Sequence, residues 1–174
     1  MAKQKIFTEA ERDAIPSDGL KIRGFFRLNI VDPDGTIAGD SGWCENTVTN
    51  DGKLGYLVRT LASSAGSSYL SYAALGEGTD GPAAADTTLE SEVVGTEGSQ
   101  IRDAMTMQSS GSTALRCTGT FASADSFVTA TESIAEIGLF RSSTGGTIFA
   151  GNTFDSSTVA TNQAVNYTYD ITFT

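Results

Sequence analysis

Paired carboxylates are the residues of this chain whose type and spacing come nearest to chemistry. Glu90 with Glu92, and Glu132 with Glu136, are formally the acid pairs that glycoside hydrolysis needs. One acid protonates the leaving oxygen, and the other attacks or activates water. A chain with 21 acidic residues offers such pairs by chance, so they do not mark an enzyme. Asp32-Pro33-Asp34-Gly35 begins like a calcium loop, but the later ligands, including the bidentate glutamate, do not follow. A plain β-turn is the better reading. Trp43, with the Tyr and Phe residues, would suit a carbohydrate-stacking platform, although a single aromatic in an apolar alternation is expected in the core.

Other chemistries lack their residues. The sequence contains no His, which removes Ser-His-Asp and Cys-His catalysis, His-ligated zinc and the usual near-neutral proton shuttle. Cys44 and Cys117 lie far apart with no CxxC partner, so they are expected to be two separate thiols. Neither GxGxxG after a strand nor GxxxxGK[ST] occurs, leaving nucleotide-phosphate binding without support. The sequence therefore assigns no catalytic, cofactor-binding or metal-ligating residue, and implies no cofactor.

The elements that position these residues read mostly as strands. Phe25 to Val31 is β-rich and runs through the Asp32–Gly35 turn into Thr36-Ile37-Ala38. Glu45 to Thr49 is a further short strand, and Tyr69 to Leu75 a buried one, ended by the loop Gly76 to Pro82. Asp86 to Val93 fits a short helical turn or an extended segment equally. Thr113 to Phe121 alternates, with Leu115, Cys117, Gly119 and Phe121 on one side. Ile134–Phe140 and Thr147–Phe154 flank Arg141 to Gly146 as a hairpin. The final strand is the clearest: Val165, Tyr167, Tyr169, Ile171 and Phe173 face one way, with Asn166, Thr168, Asp170 and Thr172 opposite.

Two segments break this pattern. Asn50-Asp51-Gly52 opens a helix from Lys53 to about Ala62, whose candidate core stripe is Leu54, Leu57, Val58 and Leu61. Residues 1–20 read as an N-terminal arm, with Thr8 and Glu11 as a capping box, Phe7 as its staple and Pro16 as its stop. Ile6 and Phe7 are the candidate attachment residues of that arm. The expected fold is mainly β: an antiparallel β-sandwich or jelly-roll-like domain over residues 21–174, with one packed helix and the arm.

Charge narrows the partners. Only 18% of residues are charged and 39% are hydrophobic, the balance of a folded domain with a polar surface rather than a disordered chain. The net charge of −10 argues against nucleic acid and against an anionic membrane surface. Eight of the eleven basic residues lie in residues 1–60, and no Lys follows Lys53, so the first third could meet an acidic neighbour that the remainder repels. The start of the chain does not read as a secretory signal and no apolar run is long enough to span a membrane, so cytoplasmic synthesis is expected.

Several motifs occur in order along residues 44–174. Asn46-Thr47-Val48-Thr49-Asn50-Asp51-Gly52 comes first, then Ala74-Leu75-Gly76-Glu77-Gly78-Thr79 with Pro82. Asp86-Thr87-Thr88-Leu89-Glu90-Ser91-Glu92 and Glu136-Ile137-Gly138-Leu139-Phe140 follow. This order resembles small virion proteins of tailed phages; the Gly95-Thr96-Glu97 stretch departs from the pattern, which would bring an Arg-containing segment sooner. The resemblance implies a non-enzymatic structural component of the particle, located in the virion after synthesis in the host cytoplasm. A capsid decoration protein is favoured; a tail, baseplate or tail-fibre component, and a carbohydrate-binding module, are the alternatives. The implied partners are major capsid or tail proteins and copies of the chain itself, in a symmetric assembly. Gly138 and Glu136 would then give one face of their strand room for a neighbouring sheet or subunit.

Overall fold

The computed structural model describes residues 22–49, 52, 70–95, 98–109 and 114–173. The arm with Ile6 and Phe7, and the helix with Leu54, Leu57, Val58 and Leu61, lie outside the described residues. The strands are β1 (Ile22–Val31), β2 (Ile37–Asp40), β3 (Cys44–Val48), β4 (Tyr72–Gly76), β5 (Asp103–Ala104), β6 (Thr106–Ser109), β7 (Ala114–Phe121), β8 (Glu132–Phe140), β9 (Ala150–Val159) and β10 (Ala164–Phe173). All pairings are antiparallel, in the order β5-β4-β8-β9-β3-β1-β10-β7-β6, with β2 added beside β1.

The two ends of this path meet. β5 pairs with β4 and the next strand, β6, pairs with β7, so residues 103–109 carry the chain from one end of the sheet to the other. The fold is mainly β, as expected: a ten-stranded antiparallel sheet, nearly closed like a barrel. The Asp103 carboxylate fastens the junction by accepting the Tyr167 hydroxyl at 2.7 Å and the Thr120 N–H at 3.2 Å. Gly119 leaves space for that clasp: a Cβ there would sit 2.0 Å from Asp103 Oδ2 and 2.3 Å from the Tyr167 oxygen. Gly119→Ala is therefore expected to cost about 1–3 kcal/mol by overpacking, read as a lower midpoint in urea unfolding.

Period-2 alternation builds the interior. Phe26, Leu28 and Ile30 of β1 and Val165, Tyr167, Tyr169 and Ile171 of β10 are all buried. The two strands pair in continuous register from Ile22 with Phe173 to Val31 with Ala164. Cys117 and Phe121 of β7 and Ile134, Ile137 and Leu139 of β8 complete the cluster. The Tyr169 hydroxyl is buried with no hydrogen-bond partner. Tyr169→Phe removes that orphaned group and is expected to be neutral or to stabilise by about 1 kcal/mol, measured by calorimetry.

Several local expectations change. Residues 103–109, read as no element, form β5 and β6. β9 starts at Ala150 rather than Thr147 and runs on to Val159. Thr147 to Phe149 instead closes back on the sheet, with Ile148 N–H donating to Thr87 and Phe149 N–H to Leu139. Trp43 is not core; it is 49% exposed. Residues 41–43 form the bend between β2 and β3, with Gly42 at φ +66°, so strand alternation does not govern Trp43.

Candidate functional site

The sequence motifs converge on the outer face of β4 and β8. Ile137 and Leu139 point into the barrel, while Glu136 and Gly138 point outward, as the strand period requires. That outer face offers no room for another subunit, because the chain covers it. A Cβ on Gly138 would meet Ile148 at 2.8 Å and Leu89 at 2.9 Å. Ala74, Leu89, Phe140 and Ile148 form a second small core beneath the loops, with Tyr72 packed beside it.

Glu136 anchors this layer. It is fully buried, and its carboxylate accepts the Glu90 N–H at 2.8 Å and the Ser91 N–H at 3.3 Å. Glu90 in turn accepts the N–H groups of Thr79 and Asp80, at 2.7 and 2.9 Å. Glycine is needed where the loop passes these acids: a Cβ on Gly76 would lie 2.3 Å from Glu136 Oε2. Burial is the main cause that raises the Glu136 carboxyl above its usual range, against the lowering by the backbone N–H groups.

This shift has a definite sign. With the folded value raised, Glu136 favours the native state most below the unfolded carboxyl pKa, and that contribution is lost as pH rises through the folded value. Glu136→Gln cannot ionise, so the fall in melting temperature with rising pH above about 4.5 should become shallower in the variant. Thermal scans at stepped pH check it; parallel wild-type and variant profiles would refute it.

Beside this pin lies a second one. Glu92 and Arg102 form a bidentate ion pair, Nε to Oε1 at 2.7 Å and Nη2 to Oε2 at 2.8 Å. Their side chains are 9% and 1% exposed. Arg102 Nη1 also donates to the carbonyls of Ser142 and Gly145, and its guanidinium lies 3.6 Å above the Phe140 ring. Gln100 bridges Glu92 and the Gly145 N–H. Arg102 follows the Val94–Gln100 bridge and returns to Glu92.

The structure brings Glu90 and Glu136 together, rather than Glu90 with Glu92 or Glu132 with Glu136. A Cβ on Gly78 would be 2.7 Å from Glu136 Oε2 and 2.8 Å from Glu90 Oε2. The two carboxylates thus flank one glycine. Yet Glu136 has no exposed surface, and both carboxylates are held by backbone N–H groups. Held in this way, Glu136 closes a loop onto the barrel.

The remaining sites are quieter. Asp32 to Gly35 is a turn, with Gly35 N–H bonded to the Asp32 carbonyl and Asp34 accepting the Thr36 N–H and hydroxyl. Among the described residues no cluster of three or more Cys, Asp or Glu could hold a metal, and no helix is long and apolar enough to cross a membrane. Cys44 and Cys117 are free thiols; burial raises Cys117 to about 12. Reasoning from sequence alone missed the pairings of Glu92 with Arg102 and of Asp103 with Tyr167, because neither follows a local period. No protein-family model, no curated protein and no solved structure matches the chain significantly.

Proposed function

We propose that this protein is a non-enzymatic structural component of a tailed-phage virion, with capsid decoration favoured over a tail, baseplate or fibre role. The observation that supports this reading is what the motif residues do. Gly76, Gly78, Glu90 and Glu136 lock one loop layer onto the barrel, with Glu92 and Arg102 beside them. Residues that resemble those of particle proteins are spent on rigidity, which suits a part repeated many times under symmetry. The net charge of −10 suits an outer face of a particle. Its partners would be major capsid or tail proteins and further copies of itself.

Density-gradient-purified particles, digested and counted by mass spectrometry, test the proposal. The chain should be present at a fixed ratio to the major capsid protein, and antibody-gold labelling should mark heads. Labelled tails would select the alternative location, and absence from particles would overturn the virion role. The exposed Trp43 favours a second reading, glycan binding, which can coexist with the first. A glycan array probed with the parent and with Trp43→Ala decides it: no Trp43-dependent binding removes that reading.

A further inference from the structure

Asp-Gly steps occur at Asp18-Gly19, Asp34-Gly35, Asp51-Gly52 and Asp80-Gly81. Such a step can rearrange in water without an enzyme. The glycine nitrogen attacks the carboxyl carbon of the preceding side chain, and a succinimide ring closes as one water leaves. A second water then reopens the ring. Attack at the side-chain carbonyl restores aspartate. Attack at the main-chain carbonyl leaves isoaspartate, whose backbone runs through Cβ and Cγ. Glycine permits the closure because no Cβ blocks the approach. The reaction needs a free glycine nitrogen and an unheld carboxyl group.

The fold sorts these steps; Asp18-Gly19 lies outside the described residues. Gly35 N–H donates to the Asp32 carbonyl at 2.9 Å, and the Asp34 carboxylate accepts the Thr36 N–H and hydroxyl. The Thr36 hydrogen bonds hold the Asp34 carboxyl below its usual range, and a charged carboxylate is a poor target for a nucleophile. Gly52 is buried, and its N–H donates to the Thr49 hydroxyl at 3.0 Å. Asp80 and Gly81 differ: both are exposed. Among the described residues, no hydrogen bond takes up the Gly81 N–H or the Asp80 carboxylate. Both residues line an open hollow with Pro82, Asp86 and Thr87, so water reaches the step.

The chain on either side of this step is held. Asp80 N–H donates to Glu90 Oε2 at 2.9 Å, and Thr79 N–H joins it at 2.7 Å. Beyond Gly81, Pro82 is buried, and a Cβ on Gly151 would meet its Cγ at 3.1 Å. Isoaspartate adds one carbon to the main chain between these points, a lengthening of about 1.5 Å. The path has little slack, since a Cβ on Gly81 would lie 2.7 Å from Asn152 Oδ1. The freed carboxylate also moves onto the Cα whose N–H meets Glu90, which sets like charges against each other. Strain and repulsion both fall on the exposed Glu90 contact. We propose that Asp80 is a self-modifying site: its side chain closes on the Gly81 nitrogen, reopens as isoaspartate and releases Thr79 and Asp80 from Glu90. The loop layer thereby loosens as the molecule ages.

The full chain, folded and free in solution, is aged in oxygen-18 water at mildly acidic pH, where the departing oxygen can leave as water. It is then digested, and electron-transfer fragmentation separates isoaspartyl from aspartyl peptides. Each ring reopening fixes one heavy oxygen. Isoaspartate and label should accumulate at Asp80 at least about tenfold faster than at Asp34 or Asp51. In urea, where the hydrogen bonds of the fold are lost, that preference should disappear. Asp80→Glu keeps the charge and the backbone N–H, but its longer side chain must close a larger and slower ring, so position 80 should stay unmodified. Hydrogen exchange reads the loop: the Thr79 and Asp80 amides of the aged parent should lose protection, while the same amides of the aged Asp80→Glu variant keep it. No isoaspartate at Asp80, equal rates at Asp34 or Asp51, or a preference that persists in urea overturns the site. Isoaspartate at Asp80 with unchanged exchange overturns the release of the loop.

Discussion

Replacing Glu92 by alanine is expected to lower the unfolding free energy by about 3–5 kcal/mol. The magnitude follows from what stays behind. Arg102 is 1% exposed, and without Glu92 its charge remains buried against Phe140 with only the carbonyls of Ser142 and Gly145 as acceptors. Breaking one side of a buried pair costs more than removing both, because the uncompensated charge is the expensive part. The double variant Glu92→Leu with Arg102→Met should therefore be more stable than Glu92→Ala alone. Urea unfolding of the parent, the single and the double variants checks both statements. A single variant with the parent's midpoint would show that the pair does not hold the loop layer.

The strands most readable in the sequence are those with one wet face. In β10, Val165 to Ile171 alternate with polar residues because the barrel buries every second side chain. β7 is legible for the same reason. β8 is only half legible: Ile137 and Leu139 announce the inner face, but nothing local says that Glu136 is fully buried. Its cover is an irregular loop held by backbone N–H groups, and backbone donors leave no mark in a sequence. β5 and β6 escape notice because two and four residues carry no apolar period; they are strands by virtue of β4 and β7. Trp43 misleads for the opposite reason, being an apolar residue placed on a bend. Of the candidate site, the glutamates are visible in the motifs, but their partners are set by tertiary folding.

Phe26→Ala carries a comparably large expected loss, about 3–5 kcal/mol, as a large aromatic cut to alanine inside a packed core. Phe26 is fully buried where three strands meet. Its ring stacks on Tyr169 of β10 at 6.0 Å and meets the edge of Phe154 of β9 at 5.9 Å. Those two contacts differ in kind. β1 and β10 are already joined by a ten-pair ladder, so the Tyr169 contact reinforces an existing junction. β9 has no ladder to β1, and Phe154 of β9 meets β1 through this ring contact. Removing the ring should therefore loosen both junctions, and stability falls. Phe26→Leu keeps most of the apolar volume and should lose less stability. For a domain of this size the alanine loss corresponds to a melting temperature lower by about 6–20 °C. A Phe26→Ala protein that melts with the parent would contradict the packing of β1 against β9.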